Sequence, residues 1–201
     1  MNKLFPAIAA LAVSPGVFAV EYNTVVPEKS SIAFVSKQMG VAVNGKFPKF
    51  SAQVSFDPAK PEAGKVSIGI DLASIDAGSK DANDEVTGKQ WFNVRMFPQA
   101  TFTSTAIKSV AGGKFEVTGP LAIKGKSQPV TATFTVKTDG PAATFEGGFT
   151  LKRIDYAIGE GPWADVSMVA NDVTVNFRVV ATAAPVAATP PAAAKTPAKS
   201  K

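Results

Sequence analysis

Residues 130–138 read VTATFTVKT, an almost unbroken alternation of apolar and polar side chains. Val130, Ala132, Phe134 and Val136 fall on one side, and Thr131, Thr133, Thr135 and Lys137 on the other. Successive side chains of a strand point to opposite faces, so this spacing predicts a strand with one apolar and one wet face. The apolar face has to leave water, either against packed protein or against a bound molecule.

The same period recurs along the chain. Ile32 and Phe34 share a face in SIAFVSK, as do Ala52, Val54 and Phe56 in FSAQVSF, and Ile68, Ile70 and Leu72 in VSIGIDL. Ala100, Phe102 and Ala106 alternate in ATFTSTAI, and Phe115, Val117, Leu121 and Ile123 in KFEVTGPLAIKG. Phe145, Gly147, Phe149 and Leu151 follow, then Val173, Val175, Phe177 and Val179. Turn signals separate the runs: Asp57-Pro58, Gly112-Gly113, Asp139-Gly140-Pro141, and Asn44-Gly45, whose tolerance of positive φ predicts a hairpin turn inside VAVNGKF. About eight short strands joined this way predict an antiparallel barrel or sandwich. The exception is GSKDANDEVTGKQWFNV, residues 78–94, where Ser79 or Asp81 can cap a short helix spanning roughly 79–90. One helix in an all-β chain is placed to cover one end of a barrel.

Eight strands is the size at which a barrel is either just filled by side chains or holds one small ligand. The apolar faces mix large residues with small ones such as Ala52, Ala100, Ala132 and Gly147. Small against large can fill a sandwich core or leave a hollow, and the pattern alone leaves both open. An empty hollow of ~400 Å³ would cost ~10 kcal/mol, comparable to the whole stability of a domain, so a hollow of that size calls for an occupant. A long apolar chain qualifies, since each buried CH₂ contributes ~0.8 kcal/mol.

The ends differ from the middle. Residues 1–19 begin with Lys3, continue through an apolar run from Leu4 to Val13, and offer Val17-Phe18-Ala19 for cleavage, the layout of a secretory signal. A periplasmic or otherwise secreted domain over residues 20–181 is expected, with cleavage near Ala19 and no transmembrane helix. Residues 182–201, rich in Ala, Pro and Lys, carry too little apolar bulk to order themselves and are expected to form a disordered tail. The 201-residue chain has a net charge of +5, but residues 20–180 hold 17 basic and 16 acidic side chains, so no basic groove for nucleic acid is expected.

The chain contains no histidine and no cysteine. That removes Ser-His-Asp and Cys-His nucleophile systems and the commonest soft metal ligands. No disulfide, metal site or cofactor is expected. Asp155 and Glu160 could support acid–base work only in a carboxylate-based hydrolase, and their spacing is not diagnostic. GEG in YAIGEGPW lacks the Lys-Ser/Thr of a phosphate loop and reads as a turn.

Four stretches, in order, resemble the YceI-like family of secreted lipid-binding β-barrels: VNGKFPKFSAQVSFDP, WFNVRMFPQATFTST, GPLAIKGKSQPVTATF, and LKRIDYAIGEGPWAD with VANDVTVNFRV. The resemblance spans about Tyr22 to Val180. It implies an eight-stranded, lipocalin-like extended antiparallel barrel with a helix beside it. It also implies a tunnel for a polyisoprenoid such as an isoprenoid quinone or its precursor, no established catalysis, a role in carriage, storage or stress response, and in some relatives a homodimer. Many relatives carry two histidines where this chain has Lys37-Gln38-Met39 and Val86-Thr87-Gly88, so a head-group or metal contact through them is lost here or replaced, with Gln38 the candidate replacement.

On this reading the lining comes from Phe34, Phe56, Ile68, Ile70, Phe102, Leu121, Ile123, Phe134, Phe149 and Phe177. Trp91, Phe92 and Trp163 are candidates for the mouth or plug, because indole joins apolar bulk to one N–H donor. Arg153 and Tyr156, with Asp155, could meet a polar head, or Arg153 and Asp155 could satisfy each other. The alternative to a carrier is a non-enzymatic β-sandwich module of the cell envelope.

Overall fold

The computed structural model describes residues 20–183. The expected signal segment (1–19) lies outside them, as do residues 184–201 of the expected tail. Eleven strands form one sheet: β1 Tyr22–Val25, β2 Ser31–Gln38, β3 Val41–Lys46, β4 Phe50–Ser55, β5 Lys65–Asp71, β6 Gln99–Thr103, β7 Ala106–Val110, β8 Lys114–Ile123, β9 Lys126–Asp139, β10 Ala142–Lys152 and β11 Asp172–Ala183. Among the described residues one α-helix, α1 (Lys80–Thr87), sits between β5 and β6, with five short 3-10 turns elsewhere. The neighbour order is β3-β2-β11-β10-β9-β8-β6-β5-β4, and every pairing is antiparallel.

One curled sheet, rather than two stacked ones, decides between barrel and sandwich. β11 is shared along its length: its first half pairs with β2 and its last residues with β1. Tyr22 of β1 then exchanges two backbone hydrogen bonds with Phe56, just past β4, at 2.9 and 3.1 Å. That bridge returns the far edge of the sheet to its middle and closes one end. Closure pairs edge groups that would otherwise stay open.

The expected strand count was about eight; eleven are present, for three reasons. β1 is too short to show a period. ATFTSTAI is broken at Ser104-Thr105 into β6 and β7, which take different stretches of β8 as partner. VAVNGKF is a strand, not a turn. The hairpin between β2 and β3 turns instead at Met39-Gly40, whose φ values of 49° and 80° are the left-handed pair of a two-residue turn. Gly45 lies opposite Phe34, and a Cβ there would fall 2.1 Å from the Phe34 ring. The glycine serves an aromatic neighbour rather than a bend.

The helix is shorter than 79–90. Ser79 caps it, its hydroxyl accepting from the Ala82 N–H at 3.2 Å, and Gly88 ends it. β11 runs to Ala183, so Thr182 and Ala183 are strand residues and not the start of the tail.

The apolar face of residues 130–136 points inward as expected: Ala132 and Phe134 are buried, and Thr131, Thr133 and Lys137 are exposed. At the closed end Phe56 is wedged edge-on among Phe115, Phe134 and Phe145, with ring centroids 5.2, 5.9 and 5.4 Å away. Such pairs add about 0.5–1.5 kcal/mol each beyond their burial. Gly147 is a packing site too: a Cβ there would meet the Thr133 carbonyl oxygen at 2.3 Å and Phe134 Cβ at 2.6 Å. Its missing side chain is filled by Phe134 and does not open the hollow.

Candidate functional site

Inside the curled sheet lie two connected chambers. The inner one, of about 120 Å³, is lined by seventeen residues, all apolar, from Val54, Phe56 and Phe145 at the aromatic plug up to Ile70, Leu121 and Phe149. The outer one, of about 360 Å³, continues from it. Ile32, Ile70, Leu121, Phe149 and Val175 line both. An apolar cavity of ~150 Å³ stays dry and takes up a small hydrocarbon, so the inner chamber belongs to that size class. Left empty it would cost about 3 kcal/mol.

Strand parity builds the lining. On β2 the inward residues are Ile32, Phe34, Ser36 and Gln38, and each lines a chamber. The series passes from apolar to polar toward the outer end. Helix α1 adds Ala82, Glu85 and Val86, one face at i, i+3, i+4 spacing. The turns after the helix bring in Trp91 and Phe92, and the segment between β10 and β11 brings in Ile158, Trp163 and Val169. The exposed positions among these, Gln38 and Glu85, place the mouth between the end of β2 and the helix.

The expected lining residues converge. Phe56, Ile68, Phe102, Phe134 and Phe177 line the inner chamber; Phe34, Trp91, Phe92, Ile123, Arg153 and Trp163 the outer; Ile70, Leu121 and Phe149 both. Tyr156 is the exception. It is 1% exposed, packed with Leu72, Ile123 and Ile158, and lines neither chamber. It therefore offers nothing to a head group. Burial, with the Asp155 charge second, pushes its phenol up to about 12, and its hydroxyl has no hydrogen-bond partner among the described residues.

Arg153 takes neither of the roles expected of it. It does not pair with Asp155. Nε donates to the Ala170 carbonyl at 3.1 Å, Nη1 to Ile158 at 2.8 Å and Gly159 at 3.0 Å, and Nη2 to Trp163 at 2.7 Å and Val169 at 2.8 Å. A guanidinium has five N–H donors, so all are used. Arg153 is a nail through the segment between β10 and β11, and burial lowers its pKa. Its Cζ lies 5.9 Å from the Trp91 ring centroid, and Trp91 in turn lies 5.5 Å from Trp163. The Trp163 indole N–H reaches back to helix α1, donating to Glu85 Oε1 at 2.8 Å. Trp91 Nε1, packed in this group, has no hydrogen-bond partner among the described residues.

Asp155 and Glu160 line neither chamber. Glu160 instead pairs with the buried Lys124 Nζ at 2.7 Å, and that hydrogen bond, then the lysine's charge, holds its carboxyl below the usual range. The two acids do not form a site.

Sequence reasoning missed three kinds of lining residue. Val54, Val66, Val117, Ala132, Phe145, Val175 and Val179 were legible, because they carry the same inward parity as the residues chosen. Phe47, Ile75, Ile158 and Val169 come from turns and loops, where no period marks them. Ser36 and Glu85 were missed because they are polar.

Among the described residues no helix is long and apolar enough to cross a membrane. A model of the YceI-like domain matches residues 23–181. The crystal structure of Burkholderia cenocepacia BcnA is similar at 49% identity and a TM-score of 0.77, covering 79% of this chain and 99% of that one. A UPF0312 protein of Azotobacter vinelandii is 33% identical over 165 residues, 75% of this chain and 86% of its own length. A domain from Saccharophagus degradans, described as polyisoprenoid-binding and implicated in plant cell wall breakdown, shares the fold at a TM-score of 0.63 and 18% identity, covering 83% of this chain and all of that one (100%).

Proposed function

We propose, for a chain that belongs to the YceI-like domain family, that this protein is a non-enzymatic carrier holding one long apolar chain of isoprenoid type. The observation that carries the reading is the inner chamber: seventeen apolar side chains around about 120 Å³ that continues into a wider chamber with polar residues at its mouth. A molecule matched to that gradient enters tail first and keeps its polar end outward. Ten buried CH₂ groups supply ~8 kcal/mol before the cost of ordering the chain, a gross affinity near 1 µM. The polyisoprenoid binding described for the Saccharophagus degradans domain supports the ligand class. The signal-like layout of residues 1–19, a lysine followed by an apolar run and small residues, supports a periplasmic setting, where carriage or storage of a membrane lipid outside the bilayer has a use.

The test is the cargo itself. Protein purified from cells with intact isoprenoid synthesis is extracted with organic solvent and, separately, weighed by native mass spectrometry. The expected result is one prenyl-chain lipid per protein, and a lower melting temperature once it is removed. Protein that carries no lipid and takes up none when offered a prenyl alcohol would overturn the reading.

A further inference from the structure

We infer that the mouth selects an uncharged, hydrogen-bonding head group, a hydroxyl, carbonyl or amide, over a phosphate. This rests on the carrier reading and adds the chemistry of the head.

The polar groups at the outer chamber are few. Ser36 and Gln38 follow Ile32 and Phe34 on the inward face of β2, and neither side chain makes a hydrogen bond with the described residues. Both are neutral, and both can donate and accept. The third is Glu85, on the chamber-facing side of α1 between Ala82 and Val86. Its Oε1 accepts from Trp163 Nε1 at 2.8 Å, and no cation among the described residues pairs with it. A carboxylate with one indole donor and no cationic partner therefore stands at the mouth.

A phosphate would need cationic donors to offset it. Arg153 is the only basic side chain lining either chamber. All five of its N–H groups are spent on the carbonyls of Ala170, Ile158, Gly159, Trp163 and Val169. Those carbonyl dipoles converge on the guanidinium and offset its charge, and no N–H remains to reach a ligand. A phosphate head, close to −2 above its second pKa near 6, would sit beside Glu85 with no cationic partner, only the neutral donors of Ser36 and Gln38. An alcohol or carbonyl would instead meet the open valences of Ser36 and Gln38. Two unit charges about 4 Å apart repel by ~1 kcal/mol in water, which is roughly a fivefold loss of affinity. The mouth is solvent-exposed, so this water value is the appropriate one and salt reduces it.

The chain has 2 tryptophans, Trp91 and Trp163, and both line the outer chamber, so intrinsic fluorescence reports on the mouth directly. Delipidated protein is titrated at pH 8 and low salt with geranylgeraniol and with geranylgeranyl monophosphate, both below their micelle concentrations. The alcohol is expected to bind about fivefold or more tightly than the phosphate. Glu85→Gln, which keeps an oxygen for the Trp163 N–H, is expected to raise phosphate affinity by a similar factor and to change alcohol affinity by less, so that the gap between the two ligands closes. Added salt is expected to narrow the wild-type gap. A phosphate that binds as well as the alcohol, or a gap untouched by Glu85→Gln, overturns the inference and leaves the carrier reading intact. If neither compound binds, the carrier reading itself fails.

Discussion

Arg153 Nη2 donates to the carbonyl oxygen of Val169 at 2.8 Å, so the start and end of the segment between β10 and β11 are tied through one side chain. The carbonyls of Ile158, Gly159, Trp163 and Ala170 meet the same guanidinium. Each buried carbonyl left unpaired costs ~1–3 kcal/mol. Arg153→Lys leaves three donors for five acceptors, so it is expected to lower unfolding stability by about 2–6 kcal/mol. It should also shift tryptophan emission, because Trp91 and Trp163 pack here. The urea midpoint checks this, and a change under ~0.5 kcal/mol would mean the segment holds itself together without the arginine.

Glu160 gives a signed dependence on acid. Lys124 holds its folded-state pKa below the ordinary 4.5, first by a hydrogen bond and then by charge. A carboxyl with a depressed folded pKa contributes stability that is whole above its unfolded value and disappears as pH falls through the folded one. The melting-temperature difference between wild type and Glu160→Gln should be constant from pH 8 down to about 4.5. Below that it should shrink toward zero. A difference that persists to pH 2.5 would show that the pair contributes nothing through ionisation.

Tyr156 gives the opposite limb. Its folded pKa is about 12 against an ordinary 10.0. The fold thus favours the neutral phenol, and stability is whole below about 10 and falls as pH rises through about 12. Tyr156→Phe removes the titrating proton, so the variant should lose less stability than wild type over that window. At pH 7 the variant should be as stable or more so, since the hydroxyl is buried with no partner. A loss of more than 1 kcal/mol at pH 7 would point to a hydrogen bond that the structure does not contain.

Chain length is read by the inner chamber. Ala132 is 4% exposed and lines it. Ala132→Phe puts a ring into that space. The variant is expected to bind geranylgeraniol at least tenfold more weakly while binding the shorter geraniol almost as wild type does, by fluorescence titration. Equal losses for both alcohols would mean that prenyl chains do not reach the inner chamber.

Gly147 is expected to tolerate no side chain. A Cβ would fall 2.3 Å from the Thr133 carbonyl oxygen, a backbone atom that cannot move aside alone. Alanine lowers unfolded-state entropy by ~0.4–1 kcal/mol, yet overpacking costs ~1–3 kcal/mol, so Gly147→Ala should destabilise on balance. Stabilisation in a thermal melt would show that β9 and β10 can part at little cost.

Much of this molecule was written in local pattern. Alternation identified the strands around Phe56, Phe102, Phe134 and Phe177 and the face each one turns inward, because parity along a strand is set residue by residue. The capping of α1 by Ser79 was legible for the same reason. The turn between β2 and β3 was misplaced because Asn44-Gly45 is a stronger local signal than Met39-Gly40. What moved it was the cross-strand fit of Phe34 over Gly45, a fact about two strands and not one. Arg153 and Asp155, two residues apart, suggest an ion pair in the sequence. The fold carries the guanidinium the other way, to carbonyls as far along the chain as Ala170.

By itself the order of residues determined an all-β chain with one short helix, an apolar inward face, and neither thiol nor imidazole for catalysis. Tertiary structure alone decided that the sheet closes through Tyr22 and Phe56, that it encloses two chambers instead of a packed core, and that Ser36, Gln38 and Glu85 line the same outer chamber. The division has one cause. Side-chain direction is a property of neighbouring residues, while enclosed volume depends on where a sheet's edges meet, and that is settled by contacts between residues far apart in the chain.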